Sequence, residues 1–133
     1  MINTLSIMLI DDNAIDLFLN KKFIEAQKIA YKTFKYEYAD DAFQYLKNAM
    51  PADWPNVILL DIHMPIMDGF EFLKLYETLP EERRKNTHII MVSSTLNSKD
   101  NQRALENPSV TALLTKPLNM VEMTEILKEK GIL

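Results

Sequence analysis

Short apolar runs alternate with longer amphipathic stretches along the whole chain, and this alternation limits the fold more than any other feature. Leu5–Ile10 is continuously apolar apart from Ser6 and reads as a buried strand. From Asn13 the period changes to that of a helix. Ile15, Phe18, Leu19, Phe23 and Ala26 form its expected inner stripe, with Asn20, Lys21, Lys22 and Glu25 opposite. Thr33–Tyr38 alternates strictly, with Phe34, Tyr36 and Tyr38 on one face, as expected of a half-exposed edge strand. Asp40 or Asp41 is expected to cap a helix through Ala42, Tyr45, Leu46 and Ala49, which Pro51 stops. Val57–Leu60 is the clearest buried strand and ends at Asp61. Gly69 opens a helix with Phe72, Leu73, Tyr76 and Leu79 on one face, closing near Pro80. Glu81–Lys85 reads as a solvated loop or an extra turn. His88–Val92 and Val110–Leu114 are further strands, separated by a helix from Ser98 to Glu106. A last helix spans Asn119–Lys130, with Met120, Met123, Ile126 and Leu127 inward.

Five strands, each followed by a helix, predict a parallel sheet covered on both faces. Right-handed crossovers make this a three-layer α/β/α sandwich. A closed eight-fold barrel needs a longer chain. The 133 residues suit one domain, expected to span 1–133 with no output domain. The chain has no cysteine, which excludes disulfides, thiolate metal sites and cysteine catalysis. Met1–Ile10 lacks the basic segment of a signal peptide, and no apolar stretch approaches the roughly 20 residues of a membrane span. These features fit a cytoplasmic protein. A formal charge of −4 argues against a general binder of nucleic acid or anionic membrane.

In open parallel sheets, ligands sit beyond the carboxyl ends of the strands. The first strand ends in Asp11-Asp12, the third in Asp61, the fourth in Ser93-Ser94 and the fifth in Thr115-Lys116. If strands one and three are neighbours, three carboxylates converge and repel. A divalent cation relieves that repulsion, and oxygen ligands suit Mg²⁺. Each residue taken alone has a plainer reading: Asp12 or Asn13 as a helix cap, Asp68 as a turn or cap residue, Ser93 as a loop hydroxyl, Lys116 as a surface charge. The case rests on their falling together at successive strand ends.

With Asp11-Asp12, the stretch Asp61-Ile62-His63-Met64-Pro65-Ile66-Met67-Asp68-Gly69, Ser93 and Lys116-Pro117, the chain resembles the receiver domain of bacterial two-component response regulators over its whole length. The resemblance implies a flavodoxin-like sheet in the order 2-1-3-4-5. It implies that Asp61 accepts a phosphoryl group from a sensor histidine kinase or a histidine phosphotransfer protein. It also implies that Asp12, Asp61 and the His63 backbone carbonyl hold Mg²⁺, with Asp11 acting through a bound water. Ser93 and Lys116 would contact phosphoryl oxygens, and a cis Lys116-Pro117 peptide would aim the ammonium at the acceptor. The resemblance further implies that His63 and Thr95 occupy positions that tune access of water to the acyl phosphate. Zinc binding or phosphorylation at His63 itself is disfavoured, since His88 is the only other histidine.

Three positions depart from the family pattern. Leu113 stands where an aromatic switch residue is usual, Leu118 replaces a common Phe, and Glu106-Asn107-Pro108-Ser109 lacks the usual Gly. The output surface implied by resemblance lies on the helix after strand four, strand five and the last helix, roughly 98–130. Residues 98–133 carry five basic and five acidic side chains, so a downstream protein fits this surface better than DNA. A phosphorelay shuttle, a phosphate sink, a constitutive interaction module and a small Mg²⁺-dependent aspartyl phosphohydrolase are the alternative readings.

Overall fold

The computed structural model describes residues 5–30, 32–94 and 98–133. Its elements follow in the order β1 (Ser6–Ile10), α1 (Ala14–Ala26), β2 (Lys32–Tyr36), α2 (Ala39–Asn48), a 3-10 turn (Pro51–Asp53), β3 (Val57–Asp61), α3 (Gly69–Tyr76), α4 (Glu81–Arg84), β4 (His88–Ser93), α5 (Ser98–Glu106), β5 (Val110–Thr115) and α6 (Met120–Glu129). The strands form one sheet in the order β2-β1-β3-β4-β5, all pairs parallel, as expected.

Both faces of the sheet are covered, which explains the continuous apolar runs in its central strands. Met8, Ile10, Ile58, Leu60, Ile89 and Met91 pack toward α2, α3 and α5 with Leu46, Phe72, Leu73, Tyr76 and Ala104. Ile7, Leu9, Val57, Leu59, Ile90 and Val92 alternate with them and meet α1 and α6 through Leu17, Ile24, Met123 and Leu127. Each fully buried side chain of this size stabilises the fold by about 1.5–3 kcal/mol. The Trp54 indole is buried and satisfied, its N–H donating to the Leu46 carbonyl at 3.0 Å. No helix among the described residues is long and apolar enough to cross a membrane.

Several expectations need correction. In α1 the buried residues are Leu17 and Ile24, whereas Ile15, Phe18, Leu19, Phe23 and Ala26 are exposed. The helix carries apolar residues on more than one stripe, and packing on the sheet selects the i, i+7 pair. The N-cap of α2 is Tyr38, with no side-chain cap bond. Asp40 and Asp41 instead sit in the first turn, where their charge complements the helix dipole. Strand β2 therefore stops at Tyr36. In α6, Met123 and Leu127 are buried, while Met120 and Ile126 are only partly so. Glu81–Arg84 forms the extra turn.

Candidate functional site

Ordinary backbone chemistry at the carboxyl edge of the sheet delivers the site residues. Asp11 follows β1, and its N–H donates to the Tyr36 carbonyl at 3.1 Å, which continues the ladder one residue past the strand. The Asp11 carboxylate accepts from the Asn13 N–H at 2.9 Å. Asn13 then caps α1 by accepting from the N–H groups of Ile15 and Asp16. Asn13 is thus the cap, and Asp12 is left exposed for other work. Asp61 is the last residue of β3 and accepts from the His63 N–H at 3.3 Å. Asp68 closes the loop with a capping box at α3, paired with Glu71. Ile66, within this loop, is exposed and has φ +71°, a left-handed backbone that a β-branched residue adopts only at a cost.

Gly69 is where the loop comes back onto the strand. Its N–H donates to the Ile62 carbonyl at 2.8 Å. A Cβ placed there would lie 2.6 Å from the Asp61 carbonyl oxygen and 2.9 Å from Met91 Cε. Only glycine allows α3 to start this close to the end of β3.

Lys116 enters from the fifth strand end, just after β5, and its peptide bond to Pro117 is cis. Its backbone N–H donates to the Ser93 carbonyl at 2.9 Å, which ties the two strand ends together. Its ammonium nitrogen lies 2.7 Å from Asp11 Oδ2, 3.2 Å from Asp61 Oδ2 and 3.2 Å from Asp16 Oδ2. One cation thus serves three carboxylates, and the shifts of the partners follow. Burial pushes the Asp61 carboxyl up to about 6; Lys116 and the His63 N–H pull it down, and the Asp11 charge adds to the rise. At Lys116, burial works against the charged form, but hydrogen bonding to Asp11 and the charges of Asp61 and Asp11 outweigh it and hold the group above the usual lysine range. Asp61 shares the lysine with Asp11 and Asp16.

The site brings together Asp11, Asp12 and Asp61, which each offer a carboxylate oxygen within 4.8 Å of the others. These are hard oxygen donors with partly uncompensated charge, and they fit Mg²⁺. Ser93 is fully buried at the end of β4. The His63 side chain is half exposed and turns to α5, with Nε2 3.0 Å from Asp100 Oδ2. Leu113 pairs with Met91 across the β4–β5 ladder and packs, partly buried, against the core. Thr95 lies outside the described residues.

Two acids in these contacts are not evident from the sequence. Asp16 sits in the first turn of α1, where an acid ordinarily complements the helix dipole. Its only sequence signal is its position four residues after Asp12. Asp100 meets His63 only through the packing of α5 on the sheet.

A family model described as the response regulator receiver domain matches residues 7–128. The chain is 29% identical over 122 residues to the sensor histidine kinase CheAY of Helicobacter pylori. That match covers 92% of this chain but only 14% of the kinase. It is 25% identical over 125 residues to the polar-differentiation response regulator DivK of Brucella ovis, covering 94% of each. The crystal structure of a response regulator receiver protein from Dyadobacter fermentans superposes with a TM-score of 0.87 at 33% identity, covering 95% of this chain and 97% of that one.

Proposed function

Because the chain belongs to the response regulator receiver family, we propose that it is a phosphorylation-dependent signalling switch whose acceptor is Asp61. The observation that carries this reading is the buried Asp61 carboxylate at the end of β3, 3.2 Å from the Lys116 ammonium and clustered with Asp11 and Asp12. An Asp61 oxygen attacks the phosphorus of a phosphohistidine on a histidine kinase or phosphotransfer protein. The P–N bond breaks, and the imidazole nitrogen keeps the electron pair. Lys116 takes one phosphoryl oxygen and the Ser93 hydroxyl another, so charge developing on the phosphoryl group is met by hydrogen-bond donors. Asp11, Asp12 and Asp61, with the His63 carbonyl, would hold Mg²⁺, which supplies positive charge to the acids and the phosphoryl oxygens.

The donor must cover the rim of this site, and the exposed α1 residues Ile15, Phe18, Leu19 and Phe23 offer it an apolar surface. Leu19 and Phe23 line a cleft of about 80 Å³ with Asp16, Lys116, Pro117 and Leu118, so that surface runs to the site itself. For output, Leu105 on α5 and Val121 on α6 are exposed apolar residues on the helices flanking the β5 edge. These two residues support a reading in which a downstream protein partner docks on that face. Nothing in the family comparison favours the phosphohydrolase alternative, and the proposed chemistry ends at a self-phosphorylated protein rather than a released product.

The reading is tested by mixing the chain with radiolabelled histidine kinases of its host in the presence of Mg²⁺. Label should leave one kinase rapidly and appear on the chain. Absence of transfer from every kinase would contradict the donor assignment. A second expectation concerns the cation. Asp12→Ala removes an exposed ligand and a negative charge, so Mg²⁺ affinity measured by calorimetry should fall at least roughly tenfold. Because Asp12 is exposed, the metal-free melting temperature should hold or rise as repulsion is relieved. Unchanged Mg²⁺ affinity would remove Asp12 from the site.

A further inference from the structure

We propose that Asp16 is a positioning residue that holds the Lys116 ammonium in the resting protein and competes with the phosphoryl group for it, an inference that rests on Asp61 being the acceptor.

An ammonium has three N–H donors. In the structure Lys116 Nζ lies within 2.7–3.2 Å of three carboxylate oxygens, from Asp11, Asp16 and Asp61, which accounts for all three. A phosphoryl oxygen on Asp61 can be met by Lys116 only if one of these contacts is released. The three acids are not equivalent. Asp11 and Asp61 belong to the carboxylate cluster suited to a cation, and both are buried. Asp16 lies outside that cluster, on α1, with its side chain 35% exposed. It is therefore the partner that can be given up to water at least cost, because an exposed carboxylate regains its hydration.

The arrangement makes Asp16 a brake. In the resting state it draws Lys116 toward α1, and the phosphorylated state forms at the expense of that contact. A substituent shifts an equilibrium only by its differential interaction with the two states. The Asp16 carboxylate interacts with Lys116 in the resting state, so its removal should favour the phosphorylated state. For a partly exposed ion pair the expected gain is modest, roughly two- to fivefold.

The test compares wild type with Asp16→Asn, using Mg²⁺ and beryllofluoride as the phosphoryl mimic. The variant should bind beryllofluoride roughly two- to fivefold more tightly. The ¹⁵N signal of the Lys116 ammonium should differ between the two proteins when free and coincide once both are saturated. A merely structural role for Asp16 would not produce convergence in the bound state alone. Equal affinity, identical free-state signals, or a difference that persists in the bound state would each overturn the proposal. Failure of wild type to bind beryllofluoride at all would instead overturn the acceptor reading on which it stands.

Discussion

Lys116→Ala is expected to cost roughly 2–4 kcal/mol of metal-free stability at pH 8 and much less near pH 4. Lys116 is the one cation within contact of Asp11 and Asp61 among the described salt bridges, and both acids are buried. Removing one member of a buried pair leaves charge without compensation, and that penalty exceeds what the intact pair contributes. The pH dependence has a definite sign. The Asp61 carboxyl is already raised to about 6 in the folded protein, and losing Lys116 raises it further. Between the unfolded value near 4 and this raised value, the folded state binds more protons than the unfolded one. Stability therefore falls as pH rises through that window, and it falls further in the variant. Mg²⁺ should restore part of the loss at pH 8. Urea unfolding at both pH values, with and without Mg²⁺, checks this; a deficit independent of pH would contradict the charge account.

Gly69→Ala is expected to lower stability by about 2–3 kcal/mol, a melting temperature on the order of 10 °C lower. Glycine's freedom of φ is not the issue at this helix start. The new Cβ would meet the Asp61 carbonyl oxygen at 2.6 Å and the Ile62 Cα at 3.1 Å, both backbone, and only the Met91 methyl at 2.9 Å could move aside. Relief requires α3 to lift from β3, which displaces the residue proposed as acceptor. The variant should therefore also take up phosphoryl groups more slowly than its residual folded fraction accounts for. Thermal melts with parallel phosphorylation rates measure both effects. A variant as stable as wild type would show that the α3–β3 approach is looser than the structure has it.

The fold is readable from the sequence where burial is uniform, and hidden where several solutions share one pattern. β1, β3 and β4 are apolar between their end residues because layers cover both of their faces, and β2 alternates because it is an edge. The orientation of α1 could not be read the same way. Ile15, Phe18, Leu19 and Phe23 satisfy helical spacing as well as Leu17 and Ile24 do, and contact with the sheet decides between them. Asp40 and Asp41 are good caps by residue type, yet the chain enters α2 earlier, at Tyr38. In the site, Asp11, Asp61, Ser93 and Lys116 could be anticipated because parallel strands deliver their carboxyl ends to one edge. Asp16 and the His63–Asp100 pair could not, since both depend on how helices pack beside that edge.

The most direct test of the central claim is the intact mass of the protein after incubation with acetyl phosphate and Mg²⁺. Wild type should gain one phosphoryl group, and Asp61→Asn should gain none. The variant should also be more stable than wild type in metal-free buffer at neutral pH, because a carboxylate that burial disfavours has been removed. Equal labelling of Asp61→Asn, or a wild type that takes up no phosphoryl group, would contradict the account.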